Sequence, residues 1–444
     1  MSFPRYPKYK DSGVEWLGQM PEHWEVRPLR RLAREEQTAF IDGDWIESPY
    51  ITDEGVRLIQ TGNVGLGFYK EQGFRYVSPE TFKEFDCTEI HPGDILICRL
   101  AEPVGRACLA PKLDSPMITS VDVYILKSRP EVNAKFVVYM LSSAQYLGFM
   151  EGQCRGGTRD RVSRTFLGSV RVSLPPSSEQ SSIAAFLDRE TAKIDALVTE
   201  QQRLMELLKE KRQAVISHAV TKGLNPRAAM KPSGIDWLGN VPEHWAIPRL
   251  CYNAAIENGT TPSRDNPEYW LGGDIPWLSS GEVNQYRITQ AQEFITQAAL
   301  NECSLRLLPV GTIVAGMIGQ GKTRGLSASL EIEATINQNL AAIVPGKNLI
   351  PDYLLYIFQS VYEYLREFGR GGNQAALNCE ILSALRIPLP PPQEQSQICA
   401  LLNSRLQEFD TLTAEAQRAI DLLQERRTAL ISAAVTGQID VRKT

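Results

Sequence analysis

The chain has 444 residues, of which 43% are hydrophobic and 22% charged, and a formal net charge of −5. That balance is typical of a soluble globular protein, and no apolar run approaches the roughly 18 residues needed to span a bilayer. An acidic balance also argues against a chain that holds nucleic acid by bulk charge; only local charge on one face, helped by partner chains, would permit it. Cysteines stand at 87, 98, 108, 154, 251, 303, 379 and 399, and histidines at 23, 91, 218 and 244. No cysteine pair has the two-residue gap of a zinc or redox motif, so the thiols are expected to be reduced and packed, with no metal site. The opening residues, Met1 to Pro7, hold no apolar stretch behind a charged lead. No signal peptide is expected, and the expected location is the cytoplasm.

Along the chain, residues 10–24 read KDSGVEWLGQMPEHW. Trp16, His23 and Trp24 are expected to pack the start of a first domain. Short β-like runs follow at 94–98 and 123–126, with an apolar, aromatic-rich helical stretch near 134–150. Such a mixture predicts an α+β domain. Three polar turns lie among these elements. Gln60-Thr61-Gly62-Asn63 follows a strand, Glu102-Pro103-Val104-Gly105-Arg106 reads as a hairpin turn presenting Arg106, and Arg155-Gly156-Gly157-Thr158-Arg159-Asp160-Arg161 precedes a long helix. Glycine lets a backbone approach a ligand closely, and Arg, Asn and Gln make paired hydrogen bonds to base edges. Gln60, Thr61, Asn63, Arg106, Arg155, Thr158, Arg159 and Arg161 are therefore candidate DNA contacts, with plain solvated turns as the alternative.

Residues 178–221 contain neither Gly nor Pro. Ser177 stands three before Gln180, a capping-box spacing, directly after Pro175-Pro176. Ile183, Leu187, Ile194, Leu197, Leu204, Leu208 and Val215 form a heptad-like seam that stops at Gly223. At about 1.5 Å per residue such a helix is about 66 Å long, too long to bury its seam on itself. The seam packs either on its own domain or, as preferred here, on a second such helix, with a partner's helices added.

The second half repeats the first. Residues 231–245, KPSGIDWLGNVPEHW, match 10–24 at ten of fifteen positions with an offset of 221, pairing Trp16 with Trp237 and His23-Trp24 with His244-Trp245. Residues 385–436 align without gaps on 170–221 with 25 identities in 52 positions, at an offset of 215. The second seam runs through Ile398, Leu402, Phe409, Leu412, Ala416, Ala419, Leu423 and Leu430 and stops at Gly437. Between these anchors the halves diverge, with β-like runs at 312–315 and 340–344 and a helical stretch at 351–368. Ser279-Ser280-Gly281-Glu282 stands where Gln60-Thr61-Gly62-Asn63 stands, and Arg370-Gly371-Gly372-Asn373-Gln374 answers the arginine-rich turn. Ser279, Ser280, Lys322, Arg324, Arg370, Asn373 and Gln374 complete the candidate DNA contacts. The expected organisation is a variable domain at 1–176, a constant helix at 177–222, a variable domain at 223–391, and a constant helix with its tail at 392–444: a pseudo-two-fold duplication.

Gly316-Met-Ile-Gly-Gln-Gly-Lys322-Thr323 fits the spacing of a phosphate-binding P-loop, which would make the chain a nucleotide hydrolase. A P-loop must open a helix, whereas Arg324-Gly325-Leu326-Ser327 reads as a return strand. The matching turn at 102–106 keeps only a Gly-basic pair, so a hairpin that presents Arg106 or Lys322 is the preferred reading. No catalytic set emerges. Asn266-Pro267-Glu268-Tyr269 departs at its third residue from the Asn-Pro-Pro-aromatic set of an amino-methyltransferase.

In their duplicated order, these segments resemble the specificity subunits of type I restriction–modification systems. The carriers are Ser233 to Trp245 with its copy at 12–24, Ile275-Pro276-Trp277, Ile336-Asn337-Gln338-Asn339-Leu340, and the paired Pro-Pro…Glu-Gln helices ending in Ala-Val-Thr. The resemblance implies two target recognition domains, each reading half of a split site in double-stranded DNA, separated by two long antiparallel coiled-coil helices that set the gap. It implies two modification subunits docked on those helices, methylating adenine with S-adenosylmethionine, and two restriction subunits that cleave. This chain would hold no cofactor of its own and catalyse nothing. The candidate subunit-interface residues are Ile183, Leu187, Ile194, Leu197, Leu204, Leu208, Ile398, Leu402, Phe409, Leu412 and Leu423.

Overall fold

The computed structural model describes residues 3–100, 102–153, 161–319, 323–367 and 377–443. The chain forms two compact units, one comprising 1–202 with 417–444 and the other 203–416. The long helices run Ser177–Lys222 and Pro392–Val435, and each contributes one end to each unit. Among the described residues no helix is long and apolar enough to cross a membrane.

The first unit is built around a four-stranded antiparallel sheet ordered Phe40–Asp42, Val123–Leu126, Ile95–Cys98, Ala107–Leu109. Ile95 to Cys98 are all fully buried, and the alternation of a strand divides them between two cores. Ile95 and Ile97 face a core shared with Trp24, Phe136 of the helix Ala134–Met140, and Ile183 and Leu187 of the first long helix. Leu96 and Cys98 face a second core with Ile59 and Met117. The latter two come from a smaller sheet ordered Met117–Thr119, Val56–Ile59, Tyr76–Val77, Ile51–Thr52, in which the first pair is parallel. The layers are thus helix, sheet, small sheet.

The second unit repeats this order. Its main sheet runs Ala254–Asn258, Leu340–Pro345, Ile313–Gly316, Ser327–Leu330, Arg287–Ile288, and its small sheet Glu293–Ile295, Ile275–Leu278, Thr335–Ile336. Ile313 and Ala315 face the helices, with Tyr353, Ile398 and Leu402, while Val314 faces the small-sheet side, with Leu278 and Ile336. The α+β class and the duplication are present at the level of individual strands.

The structure shows why two motifs about 155 residues apart repeat together. In the first unit the carboxylate of Glu179, at the start of the long helix, receives the Trp24 indole N–H at 3.1 Å and the Tyr6 hydroxyl at 2.5 Å, and His23 Nε2 lies 2.8 Å away. In the second unit His244 Nε2 lies 2.8 Å from Glu394. The adjacent glutamine is a buried bracket. Gln180 accepts the Asn133 N–H and donates to Pro175 O, while Gln395 accepts the Ile350 N–H and donates to Pro390 O and Asn348 O. Gln180 thus spends its amide on Pro175 O and Asn133, not on a capping box with Ser177, which is itself the first helical residue.

Each anchor also receives the end of the other long helix. Gly437 (φ +73°) closes the second long helix against Pro21 and Trp24, and Gly223 (φ +71°) closes the first against Trp245. A positive φ at a helix end favours glycine. In the first unit the two chain ends meet, with the Asp440 N–H donating to Pro4 O, where the second unit has continuous chain. In both units the helix segments run antiparallel. Asp195 pairs with Arg427 at 2.9 Å in the first and Asp410 with Arg212 at 2.5 Å in the second, the same pair displaced by 215 residues.

Candidate nucleic-acid interface

In the first unit, a network around Arg106 joins the turn 60–63 to the hairpin between Ile95–Cys98 and Ala107–Leu109. The Arg106 guanidinium donates to Val64 O at 2.8 Å, Thr61 O at 2.9 Å, Pro103 O at 3.0 Å and Leu100 O at 3.1 Å. The side chain is 9% exposed. This corrects the expectation that the turn presents Arg106: four carbonyl partners hold it as a staple beneath the surface. Asn63 is likewise structural. It is buried, accepts the Gln60 N–H at 2.9 Å, and donates to Lys70 O and Gln72 O. Arg161 is exposed and pairs with Leu100 as an isolated bridge beside the same hairpin.

The half-buried side chains of Gln60 and Thr61 line a cleft of about 390 Å³, together with Asp44, Trp45, Gln72, Ser120 and Asp122. Burial raises the Asp44 carboxyl to about 6, against a lowering by the Thr88 N–H, which donates at 3.1 Å. Asp122 and Asp42 flank Arg99 at 3.5 and 3.4 Å, so part of the local negative charge is already paired.

In the second unit, Ser279 and Ser280 are half-buried after the strand Ile275–Leu278, and the Ser279 N–H donates to Glu282 at 2.7 Å. The hairpin register makes Ala107 equivalent to Ser327, and hence Arg106 to Leu326, correcting its alignment with Lys322. Gly316 leads into a turn at Arg324 and Gly325 and then the antiparallel strand Ser327–Leu330. Among the described residues no helix opens there, so the helix N-terminus that a P-loop's phosphate cradle needs is not present in them. Arg324 bonds the Arg366 carbonyl. Leu377, just after the second glycine-rich turn, donates its N–H to Met317 O. Arg155, Thr158, Arg159, Lys322, Arg370, Asn373 and Gln374 lie outside the described residues.

The helix residues divide differently from the sequence expectation. Ile183, Leu187, Ile398 and Leu402 are fully buried in the cores of their units, and Ile194, Leu208 and Phe409 are buried too, so none offers a surface to another chain. Leu197, Leu204 and Leu412 lie off the seam and are exposed, and Leu423 is half-buried. The first seam instead passes through Val198, Gln201 and Met205, and the second through Leu406 and Ile420.

The family model for the type I restriction modification DNA specificity domain matches residues 46–206 and again 242–421, once on the bulk of each domain and its helix. The chain belongs to this family. Among curated relatives it is 31% identical over 193 residues to the type I restriction enzyme MjaIX specificity subunit of Methanocaldococcus jannaschii, covering 42% of this chain and 43% of that one. It is 26% identical over 289 residues to the EcoR124I/EcoR124II specificity subunit of Escherichia coli, covering 63% and 64%. These two alignments span less than two thirds of the relatives' length, whereas that to the putative MjaX specificity subunit of M. jannaschii covers 96% of both chains at 22% identity. A solved chain from a study of complex assembly and conformational transition of the type I R-M system superposes with a TM-score of 0.70 at 16% identity, over 94% of this chain and 98% of that one. The HsdS subunit from Thermoanaerobacter tengcongensis gives 0.51 at 17%, with the same coverage. These likenesses establish a shared fold.

Proposed function

We propose that this chain reads a two-part target in double-stranded DNA, one half with each unit, and carries no catalysis itself. Two modification subunits using S-adenosylmethionine methylate adenine where it directs them, and two restriction subunits cleave, all in the cytoplasm. The observation that carries this reading is the double match of one DNA specificity domain to a chain built as two like units. Two equivalent docking places are supported by leucines repeated at an offset of 215. Leu197 and Leu412 are 51% and 45% exposed, and Leu207 and Leu422 are 52% and 65% exposed. Each unit shows one leucine from each pair, as two like partners require. Nothing favours nucleotide hydrolysis, since the strands Ile313–Gly316 and Ser327–Leu330 on either side of the glycine-rich segment pair antiparallel.

The test is a genome-wide map of adenine methylation in the source cells, with and without the gene. We expect one split motif with a fixed gap to disappear on deletion. An unchanged methylation map in cells that express the chain with its modification subunit contradicts the proposal.

A further inference from the structure

Each unit brings three loops together at the same place on its scaffold. In the first they are 43–46, 60–63 and 120–122; in the second they are 259–264, 279–282 and 337–339. The backbone bonds that hold them repeat. Asp44 donates its N–H to Thr119 O at 2.8 Å, and Thr260 to Ile336 O at 3.1 Å. Ser120 donates to Ile59 O at 2.9 Å, and Asn337 to Leu278 O at 3.0 Å. The N–H of Gln60 meets the Asn63 side chain at 2.9 Å, and that of Ser279 meets the Glu282 side chain at 2.7 Å. In both units a glycine is pressed onto a carbonyl. A Cβ at Gly43 would lie 2.6 Å from Thr119 O, and one at Gly259 1.7 Å from the equivalent Ile336 O. A plain solvated turn needs no such contact, still less the same one twice.

The side chains mounted on this common frame differ. In the first unit Trp45, 70% exposed, stands at the rim of the cleft lined by Gln60 and Thr61. In the second its place is taken by Thr261, whose hydroxyl bonds the side-chain oxygen of the exposed Gln338. The loop carrying Thr261 is braced from behind. The Trp277 indole donates to Thr260 O at 3.0 Å, and Arg264 stacks 3.8 Å over Trp270 while paired with Glu293 at 2.7 and 2.8 Å. Such preorganisation lowers the ordering cost of binding.

We infer that these two patches are the base-reading surfaces, and that Trp45, Gln60 and Thr61 in one unit and Thr261, Ser279 and Gln338 in the other set which bases each half-site accepts. The inference rests on the DNA-reading function proposed above. Glutamine pairs with adenine through two hydrogen bonds, threonine and serine bond base edges of either kind, and an exposed aromatic face contacts a thymine methyl. One backbone frame with unlike side chains is what two readers of unlike half-sites require.

The experiment selects bound duplexes from random DNA, using the chain assembled with its modification subunit, and sequences them. The variants are Trp45→Ala with Gln60→Ala, and Thr261→Ala with Gln338→Ala. Each should lose about tenfold or more of the preference at one or two base pairs. The two variants should affect opposite half-sites and leave the gap unchanged. Gln338→Glu keeps the side-chain size and reverses the donor, so it should move a preference from adenine toward cytosine rather than abolish binding. Unaltered motifs, or equal weakening on all sequences, would overturn the inference and leave DNA reading intact. Failure of the unaltered chain to enrich any motif would instead overturn the function itself.

Discussion

Trp24 and Trp245 occupy equivalent buried places, yet only Trp24 bonds a carboxylate, that of Glu179; the Trp245 indole N–H has no partner among the described residues. A hydrogen bond to a charged group contributes about 1.5–3 kcal/mol. Both Trp→Phe changes lose apolar area, but only Trp24→Phe loses that bond. We expect Trp24→Phe to destabilise its unit by about 1–2 kcal/mol more than Trp245→Phe does, measured by denaturant unfolding of the two variants. Asp44 gives a pH signature. Its folded carboxyl lies at about 6 against an ordinary 3.8, chiefly through burial, so the folded state binds the proton more tightly than the unfolded chain. The stabilisation is complete below about pH 4 and is lost as pH rises through about 6. Asp44→Asn lacks this loss. Its unfolding midpoint, compared with that of the unaltered chain, should rise between pH 4 and 7 and stay level above; a pH-independent difference would contradict the assignment. Gln60, Thr61, Ser279 and Ser280 were legible as loop residues because turn chemistry is local. That Arg106 and Asn63 are structural was not, since their partners at Thr61, Val64, Lys70 and Gln72 depend on tertiary contacts.

The existence and length of the long helices follow directly from the absence of Gly and Pro and from the flanking Pro-Pro and Gly. Their buried faces do not. After Ile194 the chain offers Leu197 three residues on and Val198 four on, and either continues an apolar stripe. The fold half-buries the four-step choice at Val198, and Met205 after it, and leaves Leu197 and Leu204 exposed. The ion pairs Asp195–Arg427 and Asp410–Arg212 mark register more than they stabilise, as partly exposed pairs contribute about 0–1 kcal/mol. The exposed leucines are the informative residues. Changing Leu197 and Leu422, both on the first unit, to Gln should reduce the modification subunits that co-purify from two per chain to one while leaving the thermal midpoint within a few degrees. Undiminished assembly would place the docking surface elsewhere.

At the scale of the whole molecule, the duplication was legible because its anchors touch. The Pro-Glu-His-Trp segments grip Glu179 and Glu394, which obliges the two motifs to persist together while the loops between them diverge. The cut between units was not legible, because each long helix serves both and no break in composition marks the place. The shared frame of the six loops was hidden as well. Gly43-Asp44-Trp45 and Gly259-Thr260-Thr261 have only the glycine in common, and strand register alone aligns them. Under the proposed function, the gap in the DNA target follows helix length. The most direct measurement is therefore the methylation motif written by a chain with four residues inserted within 195–203 of the first long helix. Four residues add about 6 Å, close to two base pairs at 3.4 Å each. Both half-sites should stay as they were while the gap lengthens by one or two base pairs; an unchanged gap with methylation intact, or an altered half-site, would contradict the account.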